Sequence, residues 1–308
     1  GELNPSMRPS LHEDSSSSKF ENFLMKSIFN DIPKAYIEGF RGVSLYCKKL
    51  PEAEVIFTAN AHYSNEVFKI WTAQQVENGS RLIIAEHGGS IPFADPLFFS
   101  HEEEVSYKKT VWHTLLNHPK HISMPINKEM KKVFNLKGTR ITFIGIENSR
   151  YLIRAQTGPQ SSLMVYEFEQ ETKFIDALNK KARVNLKIRP YPENGWLLAN
   201  RFADIYGDSI LSSNKKISQD FSQSKIIICS YPDTTFSEAM HSGVPTILLY
   251  TEEYWELHPD YNELIIEMKR MNIIHSDPIM AANHINMVHE NPYEWWDRDD
   301  TVKARDMF

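Results

Sequence analysis

Three short segments carry the side chains best suited to chemistry. The first, Lys225–Leu249 (KIIICSYPDTTFSEAMHSGVPTILL), reads as strand, short loop, helix, glycine turn and strand. Ser230, Thr234 and Thr235 would then surround a helix start, where unpaired backbone N–H groups and the helix dipole favour a phosphate. Glu238, one turn further on, could accept hydrogen bonds from a ribose diol, and Gly243-Val244-Pro245 would turn the chain tightly behind it. Simple N-capping by Thr234 with a solvated Glu238 explains the same residues.

The second segment is His87-Gly88-Gly89, which follows the apolar run Arg81–Ala85. At the carboxyl end of a parallel strand His87 would be a base or a phosphate partner, and a sharp structural turn is the alternative. The third is Lys187–Trp196 (KIRPYPENGW). There Arg189 offers a planar fork that binds two oxygens of a phosphate or carboxylate, and Glu193 could serve as acid, base or nucleophile. A surface ion pair on a proline-shaped loop is the alternative. The run Glu102-Glu103-Glu104 beside His101 reads as a solvated helix start. With no DxD-like element at a strand end and no paired Cys/His spacing, no metal ion and no cofactor is expected.

These segments need a scaffold. Glu54–Thr58 and Arg81–Ala85 read as strands around an amphipathic helix at Asn65–Glu77, a βαβ unit. Downstream, strands at Arg140–Ile146, Asn185–Ile188, Lys225–Cys229 and Thr246–Leu249 alternate with helices at Glu169–Lys180 and Thr235–His241. Such alternation predicts parallel sheets with helices on both faces. The Pro/His-rich stretch Asn117–Pro125 and the basic segment Lys128–Lys137 mark the boundary between two domains. Four regions are therefore expected: an arm over 1–19, a first Rossmann-like domain over 20–132, a second over 133–282, and a helical segment over 283–308 packing back on the first.

A chain of 308 residues that is 41% hydrophobic and 12% aromatic can bury two cores. Its formal net charge of -6 gives no overall basic field to attract nucleic acid. The apolar runs are strand-length, short of the roughly 20 residues of a membrane span. Cys47 and Cys229 form no disulfide framework, which suits a reducing cytoplasm.

Taken in order, several stretches resemble one family, the transferases of bacterial capsule and lipopolysaccharide loci related to CMP-Kdo-using glycosyltransferases. They are IPKAYIEGF at Ile32–Phe40, NEVFKIWTAQQVENG at Asn65–Gly79, EHGGS at Glu86–Ser90 and the following HEEEVSYKKTVWH. KIRPYPENGW, DTTFSEAMHSGVPTI and the ending NPYEWWDRDDTVKARDMF complete the set. The resemblance implies a GT-B fold, two Rossmann-type domains facing across a cleft, with the acceptor in the first domain and the sugar nucleotide in the second. It implies donor-nucleotide binding by Ser230, Thr234, Thr235, Phe236 and Glu238, and an acceptor-side wall of Gly88, Gly89 and Asn60. Glu193, His87 and Arg189 become the catalytic candidates. The implied reaction is metal-independent transfer of a CMP-activated acidic sugar such as Kdo to a surface-glycan acceptor, at the inner face of the membrane. A nucleotide-sugar epimerase or hydrolase, or a binding subunit without turnover, remains the alternative on the same fold.

Overall fold

The computed structural model describes residues 3–8, 18–88, 96–112, 118–124, 138–151, 158–255 and 257–308. The chain divides into two compact units, Gly1–Ala85 with Glu103–Lys109, and Glu86–Glu102 with Thr110–Phe308. The expected boundary at 132/133 therefore lies inside the second unit. Part of the reason is local, because buried Glu86 already holds the backbone N–H of Trp112 at 2.7 Å.

The first unit starts with α1 (Lys19–Asp31) and α2 (Phe40–Cys47). β1 (Val55–Thr58), α3 (Ala61–Ser64), α4 (Glu66–Glu77) and β2 (Arg81–Ala85) follow. β1 and β2 pair in parallel, Val55 beside Arg81, as the βαβ reading requires. Ile56, Leu82 and Ile84 form a small core under Phe68 and Trp71 of α4. α5 (Pro96–Val105) and β3 (Lys108–Val111) are divided between the two units, and β4 (His121–Ser123) belongs to the second.

The second unit carries the larger core. Its strands are β5 (Arg140–Ile144), β6 (Leu186–Arg189), β7 (Ser224–Cys229), β8 (Thr246–Leu249) and β9 (Ile274–His275). They form an all-parallel sheet in the order β6-β5-β7-β8-β9. Parallel strands covered on both faces read as mostly apolar runs, and RITFI, SKIIIC and TILL are such runs with a polar residue at the start of each. The connecting helices are α6 (Leu163–Ala177), α7 (Lys180–Val184), α8 (Leu198–Tyr206), α9 (Ile217–Gln223), α10 (Thr234–Ser242) and α11 (Asn262–Arg270). α6 begins six residues before its predicted start at Glu169, and Phe174 on it stacks on Phe143 of β5 with ring centroids 5.7 Å apart.

The chain ends in α12 (Pro278–Val288), α13 (Pro292–Trp296) and α14 (Asp299–Met307). The apolar side chains of this segment, for which packing back on the first domain was expected, contribute to the core of the second unit. Trp295, Trp296 and Ala304 join that core, and Trp295 Nε1 donates to the carbonyl of Met271 at 2.9 Å. Two adjacent tryptophans supply a large apolar area, and Trp295 also meets His284 of α12 edge-on, ring centroids 4.6 Å apart.

Candidate functional site

In chain order the second sheet runs 2-1-3-4-5, so its connections reverse direction between β5 and β7. Open α/β sheets bind ligands in the crevice beyond the carboxyl ends of the strands at such a switch point. The loop leaving β7 is anchored there, since Ser230 N donates to the carbonyl of Ile144 on β5 at 3.0 Å. It leads directly into α10.

The helix is capped by Asp233 and not by Thr234. Asp233 Oδ1 accepts from the backbone N–H of Thr234 at 2.6 Å and from its hydroxyl at 3.1 Å. Aspartate is among the strongest N-caps, and it precedes two threonines whose hydroxyls compete with their own backbone less well. The Thr235 hydroxyl meets the Tyr231 hydroxyl at 2.8 Å. Glu238 lies one turn along the same face, half-buried, and burial first and Asp233 second raise its carboxyl pKa. An anion at this helix start therefore meets the Thr235 side first, and has to share the Thr234 N–H with the Asp233 carboxylate. Gly243 ends α10 with φ +79, the turn expected behind the helix.

Two residues expected at the donor do not face solvent. Phe236 is fully buried and packs edge-on against Phe308, ring centroids 5.4 Å apart. Position N3 of α10 points that ring into the core, so it serves packing and not a ligand. Ser230 is also buried, and its hydroxyl turns toward Glu171.

The glycine turn of 86–88 belongs to the second unit. His87 is exposed. Gly88 has φ +90, and a Cβ on it would fall 2.1 Å from Thr234 Oγ1, so glycine is required by both conformation and space. The structure thus brings Gly88 to the start of α10. Gly89 lies outside the described residues. Asn60 is exposed in the first unit, where it precedes α3 without capping it through its side chain.

The Lys187–Trp196 segment leaves the carboxyl end of β6. Arg189 does not offer its fork to a ligand in the way expected. Its Nη1 pairs with the fully buried Asp220 at 2.5 Å and donates to the carbonyl of Asn214 at 3.1 Å, while Nη2 donates to Lys215 at 3.3 Å. Asp220 also accepts from Asn214 Nδ2 at 2.8 Å and from the Ser212 hydroxyl. A buried carboxylate demands such partners, and Arg189 supplies the balancing charge. Glu193 is exposed, with its carboxylate turned onto the backbone N–H of Gly195 in its own loop.

Sequence reasoning missed the residue that holds this loop. Glu147, three residues beyond β5, is 1% exposed and accepts from the backbone N–H groups of Asn194 at 2.7 Å, Trp196 at 2.9 Å and Leu198 at 3.4 Å. Its place just past a buried strand was the available signal. Glu167 and Glu171 were missed as well, although their spacing of four puts both on one face of α6. Burial pushes Glu167 up to about 7 against the opposing Thr251 hydroxyl, and burial followed by Glu167 raises Glu171 well above its ordinary value.

No curated protein sequence matches this chain. Among solved structures, Acinetobacter baumannii MurG is similar with a TM-score of 0.48 at 11% identity, over 86% of this chain and 72% of that one. A Listeria monocytogenes protein provisionally named a UDP-N-acetylglucosamine 2-epimerase gives 0.45 at 9% identity, over 88% and 71%. CalG4, the calicheamicin glycosyltransferase, gives 0.44 at 8% identity, over 95% and 79%. The family model described as LIC12162 family transferase matches residues 1–308, the whole length, and the chain belongs to that family of transferases.

Proposed function

We propose that this transferase moves a sugar from a nucleotide donor to a glycan acceptor. The observation that carries the reading is the start of α10 at the β5/β7 switch point, where Thr235 and Glu238 share one face of a helix with a donor-sized task for each. The Thr235 hydroxyl and the helix start would take a donor phosphate, and Glu238 the ribose. A CMP-linked acidic sugar such as Kdo is the proposed donor, resting on the family resemblance, and a surface glycan the proposed acceptor. Among the described residues no helix is long and apolar enough to cross a membrane, and the proposed setting is the cytoplasm at the inner face of the membrane.

Glu193 and His87 are the proposed acid/base groups, both exposed to solvent and so reachable by substrate. No metal ion is assigned to the transfer step. A binding subunit without turnover is the second reading. It is favoured by Arg189 being engaged with Asp220 and by Glu193 bonding to its own loop.

The experiment is mass-spectrometric screening of CMP-, UDP- and GDP-sugars for binding and turnover with the parent and with Glu193→Gln. Transfer is expected with the CMP donor, and its loss is expected in the variant with nucleotide affinity kept within a few fold. Binding without turnover in the parent selects the second reading, and no nucleotide binding at all overturns both.

A further inference from the structure

Between α6 and the carboxyl ends of β7 and β8 lies a cavity of about 10 Å³, lined in part by Glu167, Glu171, Ser230, Tyr250, Thr251 and Ser276. We propose that this cavity is a binding site for a hard divalent cation of calcium's size. The inference rests on the cavity's own geometry and not on the sugar-transfer reading.

Glu167 and Glu171 are each 2% exposed, and no lysine, arginine or histidine lines the cavity among the described residues. Two carboxylates buried without a cation carry a heavy desolvation cost, relieved only by protonation or by an opposite charge. The surroundings are arranged for the second. Ser230 and Tyr250 are each 1% exposed; the Ser230 hydroxyl turns toward Glu171, and Tyr250 Oη completes no hydrogen bond. Glu171 Oε1 is equally without a partner. One Glu167 oxygen accepts from the Thr251 hydroxyl at 2.8 Å, which leaves the other oxygen for a ligand. Residues of α6 and of the segments just beyond β7 and β8 thus line one small space, and Glu171 Oε1 and Tyr250 Oη lack the partner that buried polar atoms almost always find.

The carboxyl and hydroxyl groups among the lining residues offer only oxygen to an ion, which selects a hard cation over a soft one. The volume holds about one water-sized sphere, so the ion has to enter stripped of its hydration shell. Magnesium dehydrates reluctantly and demands octahedral geometry, whereas calcium accepts irregular sets of oxygens. Calcium would tie α6 to the strand end from which the Ser230–Asp233 loop departs.

The test uses the full chain freed of metal by chelation, with calcium chloride and terbium as probes. Calcium should raise the melting temperature in proportion to the logarithm of its concentration, as a ligand of the folded state does. Terbium should show emission sensitised by Tyr250 and quenched by added calcium. Glu167→Gln/Glu171→Gln, near-isosteric and uncharged, should lose both responses while keeping the parent's circular dichroism. If that variant does not fold, Ser230→Ala decides, with a response shifted to higher calcium. The proposal is overturned if the parent shows neither response, or if the folded glutamine variant or Ser230→Ala responds at the parent's concentrations.

Discussion

Gly88→Ala tests whether the glycine turn presses on the start of α10 as the geometry states. Two separate costs arise. At φ +90 an alanine is strained by about 1–2 kcal/mol. Its Cβ would also stand 2.1 Å from Thr234 Oγ1. Relief requires either a shift of packed backbone, at about 1–3 kcal/mol, or rotation of Thr234 away from the carboxylate it bonds at 3.1 Å. The single substitution is therefore expected to destabilise the second unit by roughly 2–5 kcal/mol. Thr234→Ala removes the offending oxygen and leaves Cβ at 3.3 Å as the nearest atom, which a small adjustment accommodates. In that background Gly88→Ala should cost only the backbone strain, so the double-mutant cycle should show a favourable coupling of about 1–3 kcal/mol, the clash cost alone. Urea denaturation of the four proteins supplies the numbers. Additivity within about 0.5 kcal/mol would refute the reasoning, because the two residues would then not touch in solution.

Other consequences follow from the same geometry. Glu147→Leu removes the acceptor of three backbone N–H groups, each costing about 1–3 kcal/mol if left buried, so the loop should open and hydrate them. Hydrogen exchange at Asn194 and Trp196 should then accelerate at least tenfold, and unchanged exchange would show that Glu147 does not hold the loop. Phe236→Ala should destabilise the protein by about 3–5 kcal/mol through loss of core packing on Phe308, measured by thermal and urea unfolding. A surface role at a donor site would leave stability nearly unchanged. His284 is buried 3.3 Å from His275 and edge-on to Trp295, and burial followed by His275 lowers its pKa to about 4. Below its ordinary value of 6.5 the unfolded chain takes up a proton that the folded chain refuses. Stability should therefore fall by about 3 kcal/mol as pH drops from 6.5 toward 4, then level off. His284→Gln should flatten that slope, and an equal slope in the variant would assign it elsewhere.

Much of the second unit was legible in the residues themselves. Runs such as RITFI and KIIIC can be satisfied only by strands covered on both faces, and their alternation with helical segments leaves a parallel sheet as the consistent arrangement. The loop before α10 and the turn at Gly243 were also readable, because capping and left-handed turns depend on a few adjacent residues. Side-chain roles were decided elsewhere in the chain. Arg189 looked like an anion fork until Asp220, 31 positions away, was folded against it. Phe236 sat within a ligand-like motif, yet Phe308 at the far end of the sequence makes it core. Glu147 became the clasp of the 194–198 loop only when β5 and β6 were laid side by side. The buried carboxylates of α6 acquired their character from β7 and β8, which no local pattern of charges reveals. Periodicity and turn chemistry are local properties and survive in the sequence, whereas burial and pairing depend on partners that only the tertiary fold brings within reach.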